Sequence, residues 1–174
     1  MKLLVLSDVH ERPDRARSAI LRHKDADGVL FLGDGLRDVE RLSFPQPNLS
    51  IISVRGNCDL FSVGNDIPTE RMLGAGSIRV LMMHGHTPHD VKYGEDAAIA
   101  YAARRGADLL LFGHTHQRLE RYLPEGSDLG GGILLDHPMW VMNPGSIGHP
   151  ADGVPSYGIV MIEGDRVLLS HGQI

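Results

Sequence analysis

An α/β fold follows from two features of the sequence. Short, almost unbroken apolar runs alternate with helical segments as far as residue 117, and beyond it strand-like pieces are separated by Gly, Pro and Asp with no helical pattern between them. The first runs are 3–6 (LLVL), 29–32 (VLFL), 51–54 (IISV), 78–83 (IRVLMM) and 109–112 (LLLF). Each is apolar nearly throughout, as strands covered on both faces are. Between the first two lies RPDRARSAILRHK, residues 12–24, with Ala16, Ala19 and Ile20 at helical spacing and Pro13 in the first turn, where proline is tolerated. Residues 36–43 (LRDVERLS) make a short second helix. Residues 95–105 (EDAAIAYAARR) make a third, acidic in front and basic behind to match its dipole, with Gly106 to end it.

After residue 117, segments 118–123, 133–136, 139–142, 157–162 and 166–170 are predicted as largely antiparallel strands joined by turns, with GDR at 164–166 as a hairpin turn. The glycine run 130–132 lacks a following Lys-Ser/Thr and a helix, so it reads as a hairpin connection and not a phosphate loop. With no internal repeat or linker, one domain is expected over residues 1–174.

Composition narrows the function. Aromatic residues are 5% of the chain, too few for a platform that stacks single-stranded nucleic acid. The net charge of -5 leaves no basic footprint for a long polyanion, so nucleic acid is not an expected partner, whereas a small anion stays open if metal ions supply local positive charge. One cysteine fits a reducing compartment. The apolar run of MKLLVLSDVH is too short for a signal-peptide core or a membrane span, so a cytoplasmic chain without membrane attachment is expected; a homo-oligomer stays open.

The polar residues fall in a pattern. Asp8 and His10 follow the first strand, Asp34 the second, Asn57 the third, His84 the fourth, and His114 and His116 the fifth. Gly precedes the polar residue in GD, GN and GH, which lets the chain turn sharply or pass close to a neighbour at the strand tip. Binding sites in open α/β sheets form beyond the carboxyl ends of the strands, so these side chains are expected to converge. Two carboxylates, four imidazoles and one amide are too many for a single catalytic zinc but suit two metals sharing one carboxylate. Mixed N/O ligation without thiolate favours Mn, Fe, Zn, Ni or Co over Mg or Ca.

The order DxH, GD, GNCD, HGH, GHTH resembles the calcineurin-like metallophosphoesterase superfamily over roughly residues 2–170. The GNCD variant and the later NPGS (143–146) resemble its small bacterial and archaeal phosphodiesterase branch. The resemblance implies a four-layer α/β/β/α sandwich and a dinuclear centre, manganese being the first choice of metal. It implies one ion on Asp8, His10, Asp34 and His116, and the other on Asp34, Asn57, His84 and His114. Asn57, Cys58 and His86 become the catalytic candidates, with His86 beside the ligands or near the substrate. Cys58 stands where many members carry a His thought to protonate the leaving group, so it is a substitution at a catalytic position rather than a sign of a thiol enzyme. Asp59 orients a neighbour or caps the next turn. Glu11, where relatives often have Gly, narrows the entrance or repels some anions. Asn143 and Ser146 line the rim or form a tight turn, and His23, His89, His137, His149 and His171 belong to surface or core. The implied activity is hydrolysis of a small phosphoester by water, most simply a phosphodiester. The alternatives are a non-catalytic scaffold, as in the retromer subunit of this fold, or a nucleotide phosphohydrolase, phosphatase or nuclease of the same superfamily.

Overall fold

A computed structural model describes residues 1–42, 49–59, 66–130 and 132–174. Its strands are β1 (Lys2–Leu6), β2 (Gly28–Phe31), β3 (Ser50–Ser53), β4 (Glu70–Ala75), β5 (Ile78–Met83), β6 (Leu109–Phe112), β7 (Arg118–Leu123), β8 (Met139–Pro144), β9 (Ser156–Glu163) and β10 (Arg166–Gln173). Its helices are α1 (Pro13–Arg22), α2 (Leu36–Glu40) and α3 (Asp96–Arg104).

The strands form two five-stranded sheets, ordered β10-β9-β1-β2-β3 and β4-β5-β6-β8-β7. Both are mixed. In the first, β1, β2 and β3 run parallel, with Leu30 beside Ile52 and Leu4 beside Val29, and the β9–β10 hairpin adds antiparallel to β1. In the second, β5, β6 and β8 run parallel between the antiparallel edges β4 and β7. The two sheets face each other across a core that includes Val5, Leu30, Val80, Met82, Leu111 and Val160. Their outer faces need cover because the parallel strands are apolar on both sides. Ala16, Ala19 and Ile20 of α1 and Leu36 and Val39 of α2 cover Leu4, Leu6 and Phe31. Burying a side chain such as Ile20 is worth about 1.5–3 kcal/mol. Ala98, Ile99 and Ala102 of α3 cover Leu81, Met83 and Leu110 on the other side. The α/β/β/α sandwich is therefore present.

Several local expectations change. The five apolar runs do not share a sheet: 78–83 and 109–112 lie in the second. The C-terminal strands are divided between both sheets, with β8 parallel to β6. Residues 133–136 are not a strand; only Leu134 pairs, in an isolated bridge with Asp128. Position 131 of the glycine run and position 43, the last of the expected second helix, lie outside the described residues. The first and third helices are each trimmed at both ends, and Gly106 at φ 71 stops α3 as expected. Strand β4 was not expected at all. Among the described residues no helix is long and apolar enough to cross a membrane.

Candidate metal centre

The loops after β1, β2, β3, β5 and β6 meet at one end of the sandwich, three from the first sheet and two from the second. They meet tightly enough to force the backbone. The described non-glycine residues with positive φ are Asp8 (55°), His10 (40°), Glu11 (62°), Asp34 (59°), His114 (66°) and His116 (58°). Every one belongs to this end, and five are predicted ligands. Such residues cost roughly 1–2 kcal/mol each and persist only where their surroundings over-determine them, typically at functional sites. The glycines before the ligands are required by the same crowding. A Cβ on Gly56 would stand 2.1 Å from Oδ1 of Asp34, and one on Gly113 would stand 2.0 Å from Oγ of Ser7.

Two histidines are oriented alike. Nδ1 of His84 lies 2.7 Å from the Leu32 carbonyl and Nδ1 of His116 lies 2.6 Å from the His149 carbonyl. A carbonyl only accepts, so each Nδ1 carries the proton and each Nε2 faces the site with its lone pair. Nε2 of His116 then meets Nε2 of His10 at 3.2 Å and Oδ1 of Asp8 at 3.0 Å. Nε2 of His84 meets Oδ1 of Asn57 at 3.1 Å and Oδ2 of Asp34 at 3.4 Å. Oδ2 of buried Asp8 accepts from Ser7 Oγ and from the His114 backbone N–H, whereas Oδ1 makes no hydrogen bond among the described residues. Lone pairs therefore converge, an arrangement that a positive charge, proton or cation, would relieve. Asp8 raises the His116 pKa against burial. Burial opposes the charge of His84, but Asp34 and Asp8 outweigh it and the shift is upward. Burial likewise opposes the charges of Asp8 and Asp34, yet their histidine neighbours hold both carboxyls below the usual range. The donor set fits a divalent cation equally well: ligand atoms of Asp8, His10 and His116 lie within 4.8 Å of one another, and so do those of Asp8, Asp34 and His84.

His114 is placed differently. Its ring stands 5.0 Å from that of His84, but Nε2 faces Oδ1 of Asp90 at 3.3 Å. Burial, then the charges of His84 and Lys92, push its pKa down to about 4, so it is neutral and able to ligate at ordinary pH. His86 is half-buried beside His84 and His114, at ring separations of 5.4 and 6.1 Å, and its Nδ1 has no hydrogen-bond partner among the described residues. Burial lowers its pKa, and the charge of His84 adds to the effect.

The model of the calcineurin-like phosphoesterase superfamily domain matches residues 1–172. The chain belongs to the calcineurin-like phosphoesterase superfamily. It is 32% identical over 172 residues to a probable metallophosphoesterase, YsnB, of Bacillus subtilis, covering 97% of this chain and 89% of the relative. Its fold is similar to a predicted phosphoesterase from Streptococcus pneumoniae (TM-score 0.72, 23% identity, 99% of this chain and 88% of the other). It is similar as well to Vps29 from Chaetomium thermophilum (TM-score 0.74, 21% identity, 99% and 87%). Members of this superfamily use divalent metal ions, in keeping with the convergent donors.

In this calcineurin-like phosphoesterase, Cys58 and Glu11 flank the ligand loops. Cys58 is exposed; its N–H donates to Oδ1 of Asp34 and its sulfur accepts from Nδ2 of Asn57 at 3.3 Å. Burial, followed by the hydrogen bond and charge of Asp34 and the charges of Asp59 and Asp8, pushes the thiol up to about 11 in the metal-free chain. Glu11 is exposed, and its N–H donates to Asp38.

Other contributors were less visible in the sequence. Asn143 and Ser146 are not on the rim but fully buried: Asn143 donates to the carbonyl of Gly113 and Ser146 to that of Asp8, bracing two ligand loops from below. His149, expected in surface or core, is exposed, yet its carbonyl fixes His116 and its ring lies 5.3 Å from that of His10. Asp59 is buried and accepts four backbone N–H groups, from Asp34, Gly35, Leu36 and Gly56, at 2.8–3.0 Å. It thereby ties the Asp34 loop to the Asn57 loop. In Asp59→Asn the amide group would face two of these donors, leaving them unsatisfied. The expected loss of stability is about 2–4 kcal/mol, read as a lower denaturant midpoint at unchanged slope. An unchanged midpoint would remove Asp59 from this role.

Proposed function

We propose that this chain is a phosphodiesterase that hydrolyses small phosphodiesters with water at two divalent cations, manganese being the first choice. Asp8, His10, Asp34 and His116 would hold one cation and Asp34, Asn57, His84 and His114 the other, with Asp34 shared. Cations bound there supply an activated water and neutralise charge on the phosphate oxygens. The observation that carries the reading is the gathering of metal-capable side chains around Asp8 and Asp34, with Oδ1 of Asp8 left without a hydrogen bond among the described residues, in a chain of this superfamily.

The protein's own residues set the preference for a diester. Glu11 is exposed with its N–H on Asp38, and Cys58 is exposed beside Asp34, so the entrance carries negative charge. A diester monoanion meets less repulsion there than a monoester dianion. Asn57, held through its amide to Cys58, turns its oxygen toward Nε2 of His84 and the site, and Asp59 keeps that loop in place. No imidazole stands at position 58 to protonate the leaving group, so the departing alcohol takes its proton from water.

The test is hydrolysis of a matched aryl diester and aryl monoester by the chain loaded with manganese, zinc, nickel or cobalt. The diester should be cleaved at least about tenfold faster. Faster cleavage of the monoester would make the protein a phosphatase. Cation binding without hydrolysis of either ester would favour a scaffold role of the kind weighed above.

A further inference from the structure

Asp90 belongs to no recognised pattern in the sequence, yet it holds the histidine that differs from the others. His84 and His116 each give Nδ1 to a backbone carbonyl and point Nε2 at the site. In His114 it is Nε2 that lies near a carboxylate, 3.3 Å from Oδ1 of Asp90. The two ring nitrogens of an imidazole diverge, so a nitrogen held by Asp90 leaves the other for a cation. Asp90 is itself anchored. Its Oδ1 accepts from the Lys92 N–H at 2.9 Å, which caps the single 3-10 turn Val91–Tyr93, and the Val91 N–H donates to the carbonyl of Gly85 at 2.9 Å. That turn is thus fastened to the loop between His84 and His86. The His114 backbone is fixed in turn, in the left-handed region at φ 66, by its N–H bond to Asp8.

We propose that Asp90 is the positioning residue of His114: it takes the proton of Nε2, fixes the ring, and makes Nδ1 the nitrogen presented to the metal centre. A carboxylate on the far nitrogen also raises the basicity of the near one, as outer partners of metal-bound histidines do, and losing such a partner typically costs 10–100-fold in metal affinity. Asp90 does for His114 what carbonyls do for His84 and His116, with a full charge in place of a dipole.

The proposal rests on His114 being a ligand, and the experiment separates the two. Metal-free wild type, Asp90→Asn, Asp90→Ala and His114→Ala are titrated with zinc by calorimetry, and histidine ring nitrogens are followed by NMR. The Lys92 N–H and Nε2 of His114 meet the same Asp90 oxygen, so Asp90→Asn keeps that acceptor without its charge and Asp90→Ala loses it. In the wild type His114 should carry its proton on Nε2, and zinc should shift Nδ1. Asp90→Ala should weaken one cation step about 10–100-fold and leave the other unchanged, and Asp90→Asn should recover part of that loss. A zinc-induced shift at Nε2 of His114 overturns the proposal. So does an Asp90→Ala chain that binds both cations like the wild type when His114→Ala has lost a step. If His114→Ala itself binds both cations normally, the ligand assignment fails, and with it the role of Asp90.

Discussion

Replacing Asp34 with asparagine should cost the protein bound metal and at least about 10²–10³-fold in phosphodiester turnover, the loss typical when one preorganised electrostatic group is removed. The fold should survive. Asp34 is buried, and its Oδ1 accepts the Cys58 N–H at 2.7 Å, a bond that an amide oxygen can keep. The change falls on Oδ2, which faces Nε2 of His84 at 3.4 Å and Nε2 of His10 at 3.8 Å. An NH₂ group there brings hydrogens to a place built for a shared cation and removes the charge that would bridge both halves of the site. Metal content by elemental analysis and turnover on an aryl diester check it together. A variant with wild-type metal content and wild-type turnover would rule out the bridging role.

The second large effect is expected at Cys58, and it is a gain. A thiol pushed up to about 11 is protonated at neutral pH in the metal-free chain, and a neutral thiol is a poor hydrogen-bond donor. A thiolate formed under metal charge could not donate at all. The wild type should therefore cleave aryl diesters, whose leaving groups need no proton, far better than alkyl diesters. Cys58 is exposed at the mouth, so an imidazole can enter there without displacing core. Cys58→His should accelerate the alkyl diester by up to about 10²–10⁴-fold, the reach of general acid catalysis, and change the aryl diester little. The gain requires the protonated ring and should fade as pH rises through its pKa. Cys58→Ala should be tolerated on both substrates. A uniform loss in Cys58→His, or a collapse in Cys58→Ala, would mean that Cys58 packs against the site instead of replacing a proton donor.

Much of the site could be read from the chain because its ligands sit at fixed places relative to local structure. Asp8, Asp34, Asn57, His84 and His114 each come within a few residues of an apolar run, and that relation needs no knowledge of which strands pair. Pairing itself is non-local. Nothing in IRVLMM or LLLF distinguishes a fourth strand of one sheet from the second strand of another, since both are apolar throughout in either place. Strand β4 escaped for the opposite reason. It is an edge strand, partly exposed, and its sequence ERMLGA places Glu, Arg and Gly where a buried strand would show Val or Ile. Asp59 was visible as an orienting group, but its four donors come from two loops separated by over twenty residues. Asp90 and the carbonyl of His149 act on histidines 24 and 33 residues away, where only the tertiary fold brings them. The strand-like look of 133–136 misled because a three-residue apolar run is too short to separate a strand from a loop that folds back on itself.

The centre draws Asp8, His10, Asp34 and Asn57 from loops of one sheet and His84, His114 and His116 from loops of the other. Elsewhere the two layers are joined mainly by apolar contact, which is strong but without direction. Cations seated across this seam would act as a cross-link between layers, comparable in effect to a covalent staple. Folding and metal loading are then one linked equilibrium: cation at a hundred times its dissociation constant adds about 2.7 kcal/mol to the stability of the whole sandwich. That linkage would offset part of the cost of holding six residues in left-handed backbone, so the concentration of available metal would set how firmly the two sheets are clasped as well as how much site is loaded.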